Sequence, residues 1–136
     1  MPRALEGIRV LDMTHVLAGP TAGMYLADLG AEVIHIERER GDDAREFGPF
    51  VGGRGKNRSG YFISLNRNKK SLILDLKREQ GQAVLRDLVQ ASDVLIENFR
   101  PDTMEKMGFG WAALHALNPR LVYCSICGFG HDALPQ

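Results

Sequence analysis

Apolar residues along this chain fall into short runs separated by glycine, proline and charge, and the spacing inside each run identifies the element. GIRVLDMT, from Gly7, places Ile8, Val10 and Leu11 in a run that predicts a strand. AGPTAGMYLADLGA continues with small residues, then Met24, Leu26 and Leu29, with Gly30 as a stop, and predicts a helix. EVIHIER, from Glu32, sets Val33, Ile34 and Ile36 among polar positions and predicts a second strand, with His35 on its half-exposed side. Strand, helix and strand with short connections form a βαβ unit, which requires parallel pairing and a right-handed crossover.

The pattern dissolves over residues 40–69, a glycine-rich stretch of mixed charge in which only Tyr61, Phe62, Ile63 and Leu65 suggest an ordered patch. So long a segment inside a compact domain is expected to be a working loop or to be covered by a partner. Its Asp42, Asp43 and Arg45 read as a solvated charge run. Regular structure resumes with the strand SLILDL from Ser71. A helix over KREQGQAVLRDLVQAS follows, with Ala83, Val84, Leu85, Leu88 and Val89 on its apolar face. DVLIEN is the next strand, RPDTMEKMG a short helix opened by Pro101, GWAALHALNPR a helix ended by Asn118 and Pro119, and LVYCSICGFG a final strand. The order predicts an α/β fold: a Rossmann-like, doubly wound and mostly parallel sheet without internal repeats. GFGHDALPQ neither caps nor covers the last strand, so residues 1–136 are expected to be the N-terminal part of a larger domain, apparently truncated.

Length and composition narrow the picture further. The 136 residues suffice for one domain, and 44% hydrophobic with 25% charged residues is the usage of a folded globular chain. Seventeen basic residues balance seventeen acidic ones, so no global field draws nucleic acid or an anionic membrane, and a bound anion must be held locally. No apolar run reaches the ~20 residues of a membrane span and no signal-peptide core follows Met1, which leads to the expectation of a cytoplasmic protein. Cys124 and Cys127 are three apart, but no second ligand pair supports zinc, and a strand sends such residues to opposite faces. They are expected to be buried strand thiols.

The first β-to-α turn, THVLAGPTAG, lacks the G-x-G-x-x-G of a dinucleotide site, and GGRGKNRSG does not complete a P-loop. Cations do recur at strand ends: Arg38 after the second strand, Lys77 after the third and Arg100 after the fourth. In a parallel sheet these gather along one rim, where guanidinium and ammonium groups pair with phosphate. The helix after Pro101 is expected to add a dipole worth ~0.3–1 kcal/mol. Asp12 and Asp75, at strand positions, are expected to bond backbone amides.

Four segments in order, LDMTHVLAGPTAGMYLADLGAEVIHIERERGDDAR, NRNKKSLILDLK, SDVLIENFRPDTMEKMGF and LNPRLVYCSICGFG, resemble the N-terminal part of family III CoA-transferases. That group includes the formyl-CoA and carnitine CoA-transferases and shares its fold with the 2-methylacyl-CoA racemases. The resemblance implies that coenzyme A is bound as a substrate, with no metal or redox cofactor. It implies that His15, Val16 and Ala18 line the acyl and pantetheine end, and that Arg38 meets the adenine nucleotide. Leu74 and Lys77 would contact adenine and phosphate, Asn98, Phe99 and Arg100 would complete the pocket, and Lys106 would be a further phosphate partner. Against these stand plainer roles: His15 as a helix cap, Phe99 as core packing, Lys106 as a solvated charge.

In the transferases an aspartate attacks the acyl-CoA thioester and an aspartyl-CoA thioester is later resolved by the acceptor carboxylate, which is covalent catalysis. The resemblance implies that this aspartate lies beyond Gln136; Asp132 and His131 do not match the register of catalytic groups in either enzyme class. It also implies acyl-CoA and carboxylic acid partners and an interlocked homodimer. Leu17 leans against a very small polar acid such as oxalate. The alternatives are a racemase or epimerase, and a non-catalytic CoA-binding module.

Overall fold

The computed structural model describes residues 2–53 and 58–130. Five strands, β1 (Arg9–Asp12), β2 (Glu32–Glu37), β3 (Lys70–Ile73), β4 (Val94–Glu97) and β5 (Val122–Ser125), form one sheet in the order β3-β2-β1-β4-β5. Every pairing is parallel. The helices α1 (Ala18–Asp28), α2 (Gly60–Asn66), α3 (Glu79–Gln90), α4 (Thr103–Lys106) and α5 (Trp111–Leu117) supply the crossovers.

Because side chains alternate across a strand, the sheet has two apolar faces. Val10, Val33 and Ile96 pack with Ala27 and Ala31 on the α1 side. Leu11, Ile36 and Leu95 pack with Leu85 and Val89 of α3, Leu114 of α5, Met104 and Phe109 on the other. This is the doubly wound arrangement that the strand and helix periods predict. Strand order reverses between β1 and β4, so a crevice opens beyond the carboxyl ends of the strands there.

Several expectations are corrected. Residues 40–69 are not structureless: a 3-10 turn (Asp43–Glu46) and α2 lie within them, and the Ser59 hydroxyl caps α2 by accepting from the Phe62 N–H. Tyr61, Phe62, Ile63 and Leu65 all belong to α2. His35 is 2% exposed, not half-exposed, because α1 and α2 close over its face of the sheet. Ala83 and Val84 are exposed, so the apolar stripe of α3 is the narrower set Leu85, Leu88 and Val89. Pro101 does not open α4; Asp102, at φ 63°, separates it from a helix of only four residues, too short to offer a useful dipole. Cys124 is exposed and Cys127 half-buried, since β5 is an edge strand and, among the described residues, no helix lies above one of its faces.

Candidate functional site

A cleft of about 450 Å³ lies along the carboxyl edge of the sheet. Met13 and His15 enter it from the end of β1, and Ile36, Glu37 and Arg38 from the end of β2. Leu74, Asp75, Leu76 and Lys77 enter after β3, Phe99 after β4 and Met107 after α4. Its floor is therefore apolar while exposed cations, Arg38 and Lys77, stand at its rim. Both cations also line a neighbouring depression with Arg40, Glu39 and Asp75. The Arg38 guanidinium is 2.7 Å from Asp43, whereas Lys77 is held through its backbone N–H, which donates to Asp75.

A second cavity of about 430 Å³ joins at Phe99, lined also by Ala18, Asn98, Arg100, Ile126 and Cys127. The structure thus brings His15, Arg38, Leu74, Lys77 and Phe99 to one cleft and Ala18, Asn98, Phe99 and Arg100 to the next. Val16 and Lys106, both exposed, line neither. Asp132 and His131 lie outside the described residues.

His15 does not cap α1; it is held by Asn98. The Asn98 Oδ1 accepts the His15 N–H at 2.7 Å and its Nδ2 donates to the His15 carbonyl at 2.8 Å. The His15 ring leans on Phe99, centroids 5.4 Å apart. Immediately after this pair of hydrogen bonds Val16 takes φ 69°, a left-handed conformation that a β-branched residue adopts at a cost of order 1–3 kcal/mol. The turn that delivers His15 to the cleft is therefore strained, and Asn98 holds it.

Beneath the cleft lies a buried charged chain that sequence reasoning missed. The Lys69 ammonium donates to Asp12 at 2.7 Å, with both side chains at most 1% exposed, and also to the Pro20 carbonyl and Asn66. Asp12 additionally accepts from the Thr14 N–H and hydroxyl, so it does more than bond a strand-end amide. His35 stands between two carboxylates, Nδ1 3.6 Å from Asp12 and Nε2 3.5 Å from Asp42. Burial opposes charge on His35, yet Asp12 and Asp42 outweigh it and raise its pKa to about 9. Burial likewise opposes charge on Asp42, but His15, His35 and the Ala44 N–H hold its carboxyl far below the usual range.

Asp42 is 2% exposed, and Arg45 makes two 2.7 Å contacts to the buried Glu37, so neither belongs to a solvated charge run. Burial would raise Glu37, but Arg45, Ser71 and the Asp42 N–H lower it to about 2. The signal available in the sequence was the acidic end of β2, EVIHIE, facing a loop that carries Asp42 and Arg45. Asp43 alone matches the solvated reading, and Asp75 bonds the Lys77 amide as expected.

The model of CoA-transferase family III matches residues 5–136. The chain is 51% identical over 130 residues to the succinate–glutarate CoA-transferase of Agrobacterium fabrum, covering 93% of this chain and 32% of that protein. It is 47% identical over 136 residues to the formyl-CoA:oxalate CoA-transferase of Streptomyces avermitilis, covering 96% and 31%. Among solved structures, a CAIB/BAIF family protein from Brucella suis superposes with a TM-score of 0.92 at 42% identity, over 98% of this chain and 36% of that one. The chain spans about a third of the length of the curated relatives it matches.

Proposed function

The chain belongs to CoA-transferase family III, and on that premise we propose that it binds coenzyme A thioesters in the carboxyl-edge cleft. In this reading residues 1–136 are the N-terminal part of a larger CoA-binding domain. The complete protein moves CoA from an acyl-CoA to a carboxylic acid, with the nucleophilic aspartate supplied beyond Gln136. Relatives are named for glutarate and for oxalate, so the acceptor class is a carboxylic acid. A cytoplasmic homodimer belongs to the same proposal.

One observation carries this reading: an apolar-floored cleft at the strand-order reversal, with Arg38 and Lys77 exposed at its rim. Coenzyme A has the matching polarity, an anionic nucleotide end and a long, weakly polar arm. Arg38 and Lys77 would take phosphate by charge-assisted hydrogen bonds, and Leu74 would face adenine. His15 and Ala18 would follow the pantetheine arm, with Asn98, Phe99 and Arg100 closing the adjoining cavity, and Val16 and Lys106, outside both cavities, would be peripheral contacts of the arm and of phosphate. Calorimetric titration with coenzyme A tests the assignment. Saturable one-to-one binding is expected, and a folded sample that takes up no heat overturns it.

A further inference from the structure

The His15 imidazole has one buried edge. Its Nδ1 is out of solvent, 3.5 Å from the Asp42 Oδ2, and neither atom has a hydrogen-bond partner. An approach of a few tenths of an ångström makes this an N–H···O bond. The exposed quarter of the side chain, with Nε2 on the far edge of the ring, is left for the cleft.

Everything else about the pair is held. Asn98 fixes the His15 backbone and Phe99 supports its ring. The Asp42 Oδ1 is committed to the Ala44 N–H at 2.7 Å and its backbone N–H to Glu37 at 2.9 Å. The Oδ2 is thus directed at two imidazoles, His15 in the cleft and His35 behind it.

We propose that Asp42 is the positioning residue for His15: it holds the imidazole with a proton on Nδ1, so that Nε2 faces the cleft as a hydrogen-bond acceptor. The partner of a carboxylate-bound histidine decides which nitrogen carries the proton, and hence what the free nitrogen can do. Given the CoA reading, on which this ligand assignment rests, Nε2 accepts from an amide N–H of the pantetheine arm. An Nε2–H tautomer would instead present a second donor there and leave that amide N–H without its acceptor.

The test is long-range proton–nitrogen correlation of the histidine rings in the ligand-free protein, with His15→Gln identifying the His15 signals. The Nδ1–H tautomer is expected; a proton on Nε2 overturns the proposal. In Asp42→Asn the amide oxygen stays with the Ala44 N–H and the NH2 faces His15, so the tautomer inverts and CoA affinity falls about tenfold. An uninverted tautomer in that variant also overturns it. Should Asp42→Asn fail to fold, because His35 loses a partner, the unaltered protein still decides. Failure of CoA to bind the unaltered protein would sink the reading of the cleft alone, since the tautomer measurement needs no ligand.

Discussion

Asn98 and His15, 83 residues apart, are joined by two hydrogen bonds, so that the end of β4 holds the end of β1 across the strand-order reversal. One planar amide serves as acceptor and donor at once. Asn98→Asp keeps the size but turns the donor into a carboxylate oxygen facing the His15 carbonyl. We expect a loss of about 1–3 kcal/mol in urea denaturation together with weaker CoA binding. An unchanged denaturation midpoint would mean that the amide does not hold the turn.

Lys69 joins the segment after α2 to β1 through Asp12, and Gly23 permits it: a Cβ there would sit 2.5 Å from the Asp12 Oδ2 and 3.2 Å from the Lys69 Nζ. Lys69→Met removes the charge and leaves a buried carboxylate short of a partner, at an expected cost of about 3 kcal/mol. Gly23→Ala is expected to destabilise in the same direction by crowding the pair. Equilibrium unfolding of both variants checks this, and wild-type stability in Lys69→Met would refute the role of the ion pair.

The buried chain makes stability depend on pH at both ends. His35, raised from 6.5 to about 9, contributes stability that is fully present below pH 6.5 and is lost as pH rises toward 9. The groups facing it are Asp12 and Asp42, with Lys69 beyond Asp12. Glu37, lowered from 4.5 to about 2, contributes stability that is present above pH 4.5 and is lost as pH falls toward 2. Thermal melts across this range should show both limbs, with the alkaline one flattened in His35→Gln. An alkaline limb of the same depth in that variant would assign it elsewhere.

At the cleft rim, Lys77→Ala should weaken CoA binding about tenfold, as expected for loss of a charge-assisted contact, with little effect on folding because the side chain is exposed. Arg38→Ala should do less, since its guanidinium is already shared with Asp43. Titrations at two salt concentrations separate these variants. Equal affinity in Lys77→Ala and the unaltered chain would remove the rim from the phosphate assignment.

The periodicity of the chain was sufficient for the five strands, the helices α1 and α3 and the parallel order, because alternation and helical spacing are set by near neighbours in sequence. Strand-end position alone brought Arg38, Lys77 and Arg100 to the carboxyl edge, the first two in one cleft and Arg100 in the adjoining cavity, since parallel topology puts all such ends on one side.

What a charged residue does there was a matter of tertiary structure. Lys69 reaches Asp12 across 57 residues, Arg45 reaches Glu37 across eight, and the pKa of buried His35 is raised because Asp12 and Asp42 flank it. Nothing local distinguishes Asp42, buried against two histidines, from the exposed Asp43 beside it. The reverse holds for Cys124 and Val84, apolar in pattern yet exposed, because no element among the described residues covers their side of β5 or α3. Periodicity records which way a side chain points relative to its neighbours, whereas burial and ionisation depend on what the rest of the chain brings to meet it.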